Sequence, residues 1–379
     1  MNKKLHILFL CGWYPSRVYP NNGDFIQRHA EAVALKHKIS ILHIVSDENC
    51  SDTIEITSEE INGIETHIAY IKNTSNVILK LTLFWKAYFK LLKKIKPFDF
   101  VHLNEIYPFG IFALHLKWFQ KKPFIISEHW TGYHFLLSKK INFLEKIISR
   151  KIAKEASFLC PVSNSLKEQM ESLNIKGNYN VVPNVIDTSL FIPSNSKEKN
   201  YTIIHVSNLL DKQKNISGML RVVKQLEKNI DNFTWKFIGG SKEKYQPLID
   251  KLNFSTAKIE FINHISHNKL ITHLQSSNLF VSFSNYETFG VVMVEAISCG
   301  VPVISTNTGI LNELKLTDYC RIIPIKDEEK LLNEVLTMYN LNKTIDKEEM
   351  HAFVAKNYKK EIIANQFSEL YFKALNFNS

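Results

Sequence analysis

Ser284-Asn285-Tyr286-Glu287-Thr288-Phe289-Gly290-Val291-Val292-Met293-Val294-Glu295-Ala296-Ile297-Ser298-Cys299-Gly300-Val301-Pro302-Val303-Ile304 is the stretch whose reading decides the fold. The β-branched and aromatic run Leu279–Phe283 just before it predicts a buried strand ending near Ser284. A polar loop carrying Glu287 and Gly290 follows, and continuous apolar residues from about Val291 predict a helix. Gly300 and Pro302 punctuate its end, and Val301–Ser305 predicts the next strand. Strand, loop, helix and strand in this order form a βαβ unit of a parallel sheet, and such sheets bind ligands beyond the carboxyl ends of their strands. Glu295 falls within the first turn or so of the helix, so Glu287 and Glu295 are expected to face one pocket there. Gly290 lets backbone amides approach a ligand, and the helix N-terminus favours an anion or a polarised hydroxyl.

The same alternation runs through the rest of the chain. In the first half, strands are predicted at Leu5–Leu10, Ile39–Ile44, Phe100–Leu103, Phe124–Ile126 and Phe158–Pro161, with helices at Phe25–Lys36, Lys80–Lys94, Gly110–Phe119 and Ile141–Lys154. A turn-rich segment, Val181 to Asp187 and then Pro193 to Lys197, reads as a linker. Strands resume at Tyr201–Val206, Thr234–Ile238, Ile259–Phe261, Leu279–Phe283, Val301–Ser305 and Arg321–Ile323. Apolar residues at helical spacing from His351 to Leu375 predict one terminal helix. The fold class is therefore α/β, with two Rossmann-like domains over 1–185 and 186–355 facing a central cleft. Residues 356–379 form a final helix that packs back on the first domain.

A chain of 379 residues, 45% apolar and 22% charged, suits two globular domains in water. It contains no run of eighteen apolar residues, and Leu5 to Cys11 reads as a first strand rather than an export signal, which makes the cytoplasm the default location. Five scattered cysteines (Cys11, Cys50, Cys160, Cys299, Cys320) form no C-x-x-C pair and read as buried, reduced thiols rather than a disulfide framework or a zinc site. The net charge of +10 is uneven: residues 1–185 carry 24 basic against 16 acidic side chains, and residues 186–379 carry 23 against 21. The first half is thus expected to meet something anionic.

The opening stretch, with its E-x-F-G, E-A and G-V-P-V elements in strand–loop–helix–strand context, resembles the E-x7-E signature of the family 4 retaining glycosyltransferases of GT-B fold. The resemblance covers nearly the whole chain, and it implies an acceptor-side domain over 1–185 and a nucleotide-sugar-binding domain over 186–355. It implies that Glu287, Thr288 and the amides of Phe289, Gly290 and Val291 hold the donor sugar, and that Glu295 holds the nucleotide's ribose. Trp13-Tyr14-Pro15 through His29 is similar to the family's first glycine loop, with Gly23 beside the diphosphate where many relatives have two glycines. Pro183-Asn184-Val185-Ile186-Asp187 is similar to the family's P-N-G-V-D linker, with Val185 in place of glycine. His129, after the strand Phe124–Ile126, stands where family members place a histidine facing the donor sugar; His102 and His134 read as structural.

His205 to Asn215 resembles the family's phosphate-binding V-x-R-L…K segment. Lys214 would supply positive charge to the departing diphosphate, while Asn208, in the arginine slot, offers a hydrogen bond without charge. Gly239 ends a further strand on the nucleotide side, and His264 and Ile265 stand beside the base. Thr308-Gly309 replaces the glycine pair common in relatives. No D-x-D pair follows a strand at a comparable place, so no metal or other cofactor is expected; the nucleotide-sugar is a substrate.

Lys80 to Lys96 holds six lysines and no acid. That helix either covers the sheet or interleaves with anionic lipid headgroups, which would attach the protein peripherally to the inner membrane face near a lipid-linked acceptor. The reading that covers most residues is transfer of a sugar from a UDP- or GDP-linked donor, with retention, to a hydroxyl of a cell-surface polysaccharide or glycolipid precursor. A nucleotide-sugar epimerase of related fold needs catalytic acids in the first domain, and the sequence shows no such pattern. A non-catalytic nucleotide-sugar-binding scaffold remains open through Asn208. A nucleic-acid partner is not expected, since no motif for one is present.

Overall fold

The computed structural model describes residues 3–196, 198–314, 318–341 and 345–376, so Lys197 of the linker expectation lies outside the described residues. Contacts divide the chain into two units, residues 1–185 with 360–379, and residues 186–359.

Unit 1 contains β1 (His6–Cys11), α1 (Asp24–Ala34), β2 (Lys38–Asp47), β3 (Ile54–Ile61), β4 (Ile64–Lys72), α2 (Val77–Leu92), β5 (Phe100–Asn104), α3 (Gly110–Gln120), β6 (Phe124–Glu128), α4 (Phe143–Glu155), β7 (Phe158–Pro161) and α5 (Asn164–Ser172). Its sheet has the order β3-β4-β2-β1-β5-β6-β7, parallel except for the β3–β4 pair. Every residue of β1, β5 and β6 is buried, as expected of parallel strands covered on both faces. The hairpin β3–β4 is an addition to the strands expected from the sequence. Its signal was present, because Asn62 and Gly63 both adopt positive φ (51° and 75°), the geometry of a tight Asn-Gly turn between alternating residues.

Unit 2 contains β8 (Thr202–Val206), α6 (Asp211–Lys214), α7 (Ile216–Leu226), β9 (Thr234–Ile238), α8 (Gln246–Leu252), β10 (Lys258–Ile262), α9 (His267–Ser276), β11 (Leu279–Ser282), α10 (Val291–Ser298), β12 (Val303–Thr306), β13 (Cys320–Ile323), α11 (Glu328–Tyr339) and α12 (Lys347–Tyr358). Its six parallel strands are ordered β10-β9-β8-β11-β12-β13.

The single terminal helix expected from periodicity is instead two, α12 and α13 (Lys360–Asn376). Lys359 is extended (φ −68°, ψ 157°), and the amide of Ile186 donates to the Tyr358 carbonyl at 2.9 Å. That outside donor satisfies an end carbonyl the break leaves without a helical partner, which periodicity cannot reveal. α13 belongs to unit 1, where Ile363, Ala364, Phe367, Leu370, Tyr371 and Ala374 join the core beside α1 and β1. Burying each large apolar side chain there contributes about 1.5–3 kcal/mol. Histidines complete the docking. His37 Nε2 and Ser368 Oγ share a hydrogen bond at 2.9 Å, and His102 bridges Tyr371 Oη and Ser127 Oγ at 2.7 Å each.

Candidate functional site

In unit 2 the chain runs outward from β8 through β9 to β10, then returns to the other side of β8 with β11. The strand order therefore reverses between β8 and β11, and a crevice at their carboxyl ends is the expected ligand site of an open α/β sheet. His205, on β8, ties the two strands together there: Nδ1 faces the Val281 carbonyl at 2.8 Å, and Nε2 pairs with Ser207 Oγ at 2.8 Å. Burial lowers this histidine to about 3, so it serves as a neutral tether between the two strands.

Lys214 arrives from β8 at the end of α6, and Glu287 arrives from the loop after β11. Their side chains form an ion pair with only 13% and 11% side-chain exposure. Ser284 Oγ donates to the same Glu287 carboxylate at 2.9 Å. The loop is tied to α6 by two further bonds, Asn285 N to the Gln213 carbonyl at 2.7 Å and Asn285 Nδ2 to the Lys212 carbonyl at 2.9 Å. Gly290, at φ 87°, precedes α10, and a Cβ there would meet the Met293 methyl at 1.9 Å. Amides that begin a helix lack i−4 carbonyls, which suits that end to oxygen acceptors; in α10 the third of them, Met293 N, turns back to the Gly290 carbonyl at 3.0 Å. Thr288 and Val291 flank this turn, while Phe289 is buried and its carbonyl accepts from Ile310 N at 2.9 Å. The Gly309 turn after β12 thereby braces the Glu287 loop.

The other expected residues are placed as follows. Glu295 lies on α10 at 1% exposure, enclosed rather than presented to solvent. Asn208 turns its side-chain oxygen to Leu210 N, from which it accepts at 3.2 Å, so that half of the amide serves the loop's own turn. Gly239 follows β9 where the Ser207 carbonyl leaves no room for a side chain, a Cβ standing 2.0 Å from that oxygen. His264 and Ile265 follow the edge strand β10, two strands away from β8, and His264 is exposed. Gly23 and His129 belong to unit 1. Gly23, at φ 76°, lies against the Trp13 backbone before α1. The His129 ring is 4% exposed, packs on Phe25 and His29, and is held neutral by burial.

Sequence reasoning missed two buried acids in unit 1. Glu128 accepts from the amides of His129 and Trp130 at 2.9 Å and of Ile106 at 3.0 Å, and so organises the loops after β5 and β6. Glu105 follows β5 at 5% exposure, and burial together with the charge of Glu128 holds its carboxyl well above the ordinary range. The available signal was a carboxylate at the carboxyl end of a parallel strand.

Helix α2 buries Leu83, Ala87, Tyr88 and Leu91 against the unit, yet presents Val77, Ile78, Leu79, Leu81 and Phe89 to solvent. Phe135, Leu136, Phe143, Leu144 and Ile147, near the start of α4, are exposed as well, beside Lys139 and Lys140. No helix among the described residues is long and apolar enough to cross a membrane. All five cysteines are buried and unpaired.

Residues 186–360 match the family described as glycosyl transferases group 1, and residues 26–190 match glycosyltransferase family 4. The chain is similar to the alpha-monoglucosyldiacylglycerol synthase of Acholeplasma laidlawii, 21% identical over 332 residues, 79% of this chain and 81% of that protein. It is also similar to a phosphatidylinositol N-acetylglucosaminyltransferase subunit of Arabidopsis thaliana, 24% identical over 199 residues, 52% of this chain but only 44% of that protein. Among solved structures, HepE of Anabaena in complex with UDP-glucose has a TM-score of 0.73 at 16% identity, with 97% of this chain and all of that one covered. At that identity the likeness shows the fold.

Proposed function

The chain belongs to the GT-B glycosyltransferases of the family 4 type, and from that premise we propose that it transfers a sugar, with retention and without a metal, from a UDP- or GDP-linked donor to a hydroxyl of a cell-surface polysaccharide or glycolipid precursor. The observation that carries the reading is the meeting of Lys214 and Glu287 at the β8–β11 crevice. Glu287 and the amides beginning α10 hold hydroxyls of the donor sugar. Lys214 faces the diphosphate and offsets the charge that grows on it as the glycosidic bond breaks. The acceptor hydroxyl attacks from the face the diphosphate leaves, and a donor phosphate oxygen takes its proton. Glu295 holds the ribose. The HepE complex with UDP-glucose and the lipid-modifying names of two relatives support a nucleotide-sugar donor and a glycolipid acceptor.

Calorimetric titration with UDP, GDP and ADP tests the donor half. One nucleotide is expected to bind in the micromolar range, equally with and without EDTA, and at least about tenfold more weakly in Glu295→Ala, the loss of a buried charge-assisted hydrogen bond. Binding that requires a divalent ion ends the metal-free reading, and no binding to any nucleotide ends the donor assignment.

The lysines of α2 with its exposed apolar face support peripheral attachment to the inner membrane face. Co-sedimentation with anionic vesicles is expected at low salt and should fade at high salt. Equal recovery in the supernatant with anionic and neutral vesicles removes that part of the proposal.

A further inference from the structure

The turn after β8 is held in a strained form by two hydroxyls outside the Lys214–Glu287 pair. Leu209 is left-handed (φ 51°), a conformation costly to a residue other than glycine. Two side chains grip it there. Its amide donates to Ser207 Oγ at 3.0 Å, and its carbonyl accepts from Tyr245 Oη at 2.5 Å. The Ser207 hydroxyl is itself oriented. Neutral His205 donates from Nδ1 to the Val281 carbonyl, which leaves Nε2 to accept the Ser207 proton. Strain of this kind persists only where the surroundings over-determine it, and it gathers at functional sites.

Tyr245 comes from the segment between β9 and α8. Its buried ring stacks on Phe261 of β10, with centroids 5.7 Å apart, and Phe261 stacks in turn on Phe237 of β9 at 4.9 Å. The hydroxyl is thereby fixed in place. Burial and the nearby charge of Asp211 push its pKa up to about 12, so it stays a donor at neutral pH. The end of β9 and the residues after it pack on the turn as well: Ser207 N donates to the Ile238 carbonyl at 3.0 Å, and Gly240 lies against the Leu209 side chain. The turn leads straight to Lys214. The Leu210 carbonyl accepts from the amides of Gln213 at 2.9 Å and Lys214 at 2.7 Å, and so sets the start of α6. At four residues α6 is too short to hold its own shape, and it inherits its direction from that turn. Lys214, at its far end, then meets Glu287.

We propose that Tyr245 is a positioning residue for the transfer reaction: its hydroxyl keeps the Leu209 turn in the form that aims Lys214 at the donor diphosphate. Phenylalanine at this position keeps the ring stack but leaves the buried Leu209 carbonyl without its donor. The turn is then free to leave the left-handed region and to carry α6 with it. The proposal rests on glycosyl transfer only for what Lys214 faces; the hold of Tyr245 on the turn does not depend on it.

Amide hydrogen exchange and calorimetry with UDP and GDP on the full chain test it, comparing Tyr245→Phe, Lys214→Ala and the double variant with the parent. In Tyr245→Phe the amides of Leu209, Gln213 and Lys214 are expected to exchange about tenfold faster, while protection in the strands of unit 2 is unchanged. The same variant is expected to weaken the nucleotide that the parent binds about tenfold, the worth of one buried hydrogen bond. Added to Lys214→Ala it should weaken binding by less than about twofold more, because a residue that acts through Lys214 has nothing left to aim. A full further loss in the Lys214→Ala background marks an effect on general stability and overturns the proposal. So does a Tyr245→Phe affinity within about twofold of the parent, or unchanged exchange at Gln213 and Lys214. A parent that binds neither UDP nor GDP is a failure of the donor reading instead, and exchange in the turn then still decides whether Tyr245 holds it.

Discussion

Lys214→Ala is expected to lower kcat/KM by about 10²–10³-fold, the size of effect seen when one preorganised donor to developing charge is removed. The lysine is already positioned to act, because α6 ends on it and its ammonium is mostly shielded from water against Glu287. Charge that grows on the diphosphate as the glycosidic bond breaks meets a cation already in place, so the loss should fall mainly on kcat. Glu287→Gln should fall mainly on the KM for the donor, because that side chain holds the sugar in both ground and transition states. Steady-state kinetics with the nucleotide-sugar selected by calorimetry separate the two patterns. Should both variants turn over within threefold of the parent while their melting temperatures drop, the ion pair is a loop brace and not part of the reaction.

Mild acid is expected to unfold unit 1 well before it protonates ordinary surface carboxylates. Burial lowers His29, His37 and His43 to about 4, and in unit 2 His205 to about 3. Each is neutral in the folded protein, while the unfolded chain takes up its proton near pH 6.5. The unfolded state therefore binds more protons below that pH, and the stability these residues carry is complete above pH 6.5 and lost as pH falls towards 4. At about 1.4 kcal/mol per pH unit for each residue, the fully buried His29 and His43 together lose about 4 kcal/mol by pH 5, and His37 adds in the same direction. His102 and His129, lowered by burial as well, add to the trend. Glu105 and Glu128 pull the other way, since burial raises their carboxyls and acid favours their folded form. Urea unfolding at pH 7.5, 6.0 and 5.0 measures the balance. A midpoint that stays constant over this range would show that the histidines admit protons without unfolding. Because His37 and His102 hold α13 through Ser368 and Tyr371, exchange protection in α13 should be lost first.

Much of the architecture was legible in the residues alone. Buried parallel strands read as continuous apolar runs, and those predicted in both halves were placed to within a few residues. The hairpin β3–β4 escaped because no residue of β3 is buried and three of its eight are glutamates, leaving only its Asn-Gly turn as a sign. The Glu287 loop was legible because the strand, the glycine and the helix that place it are contiguous.

By itself the sequence determined the α/β class, the tandem of two sheets and the loop that bears Glu287, all products of local periodicity and turn chemistry. Only the tertiary structure decided what meets what. Lys214 reaches Glu287 across 73 residues because β8 and β11 are neighbours. His102 reaches Tyr371 across 269 because α13 returns to unit 1. Glu105 becomes a strained, unsatisfied acid only when β1 and β5 pair and close water out. Hydrophobic patterning says which faces are buried, but it carries no information about which distant side chains share the buried space, and that sharing sets charge, protonation and chemistry.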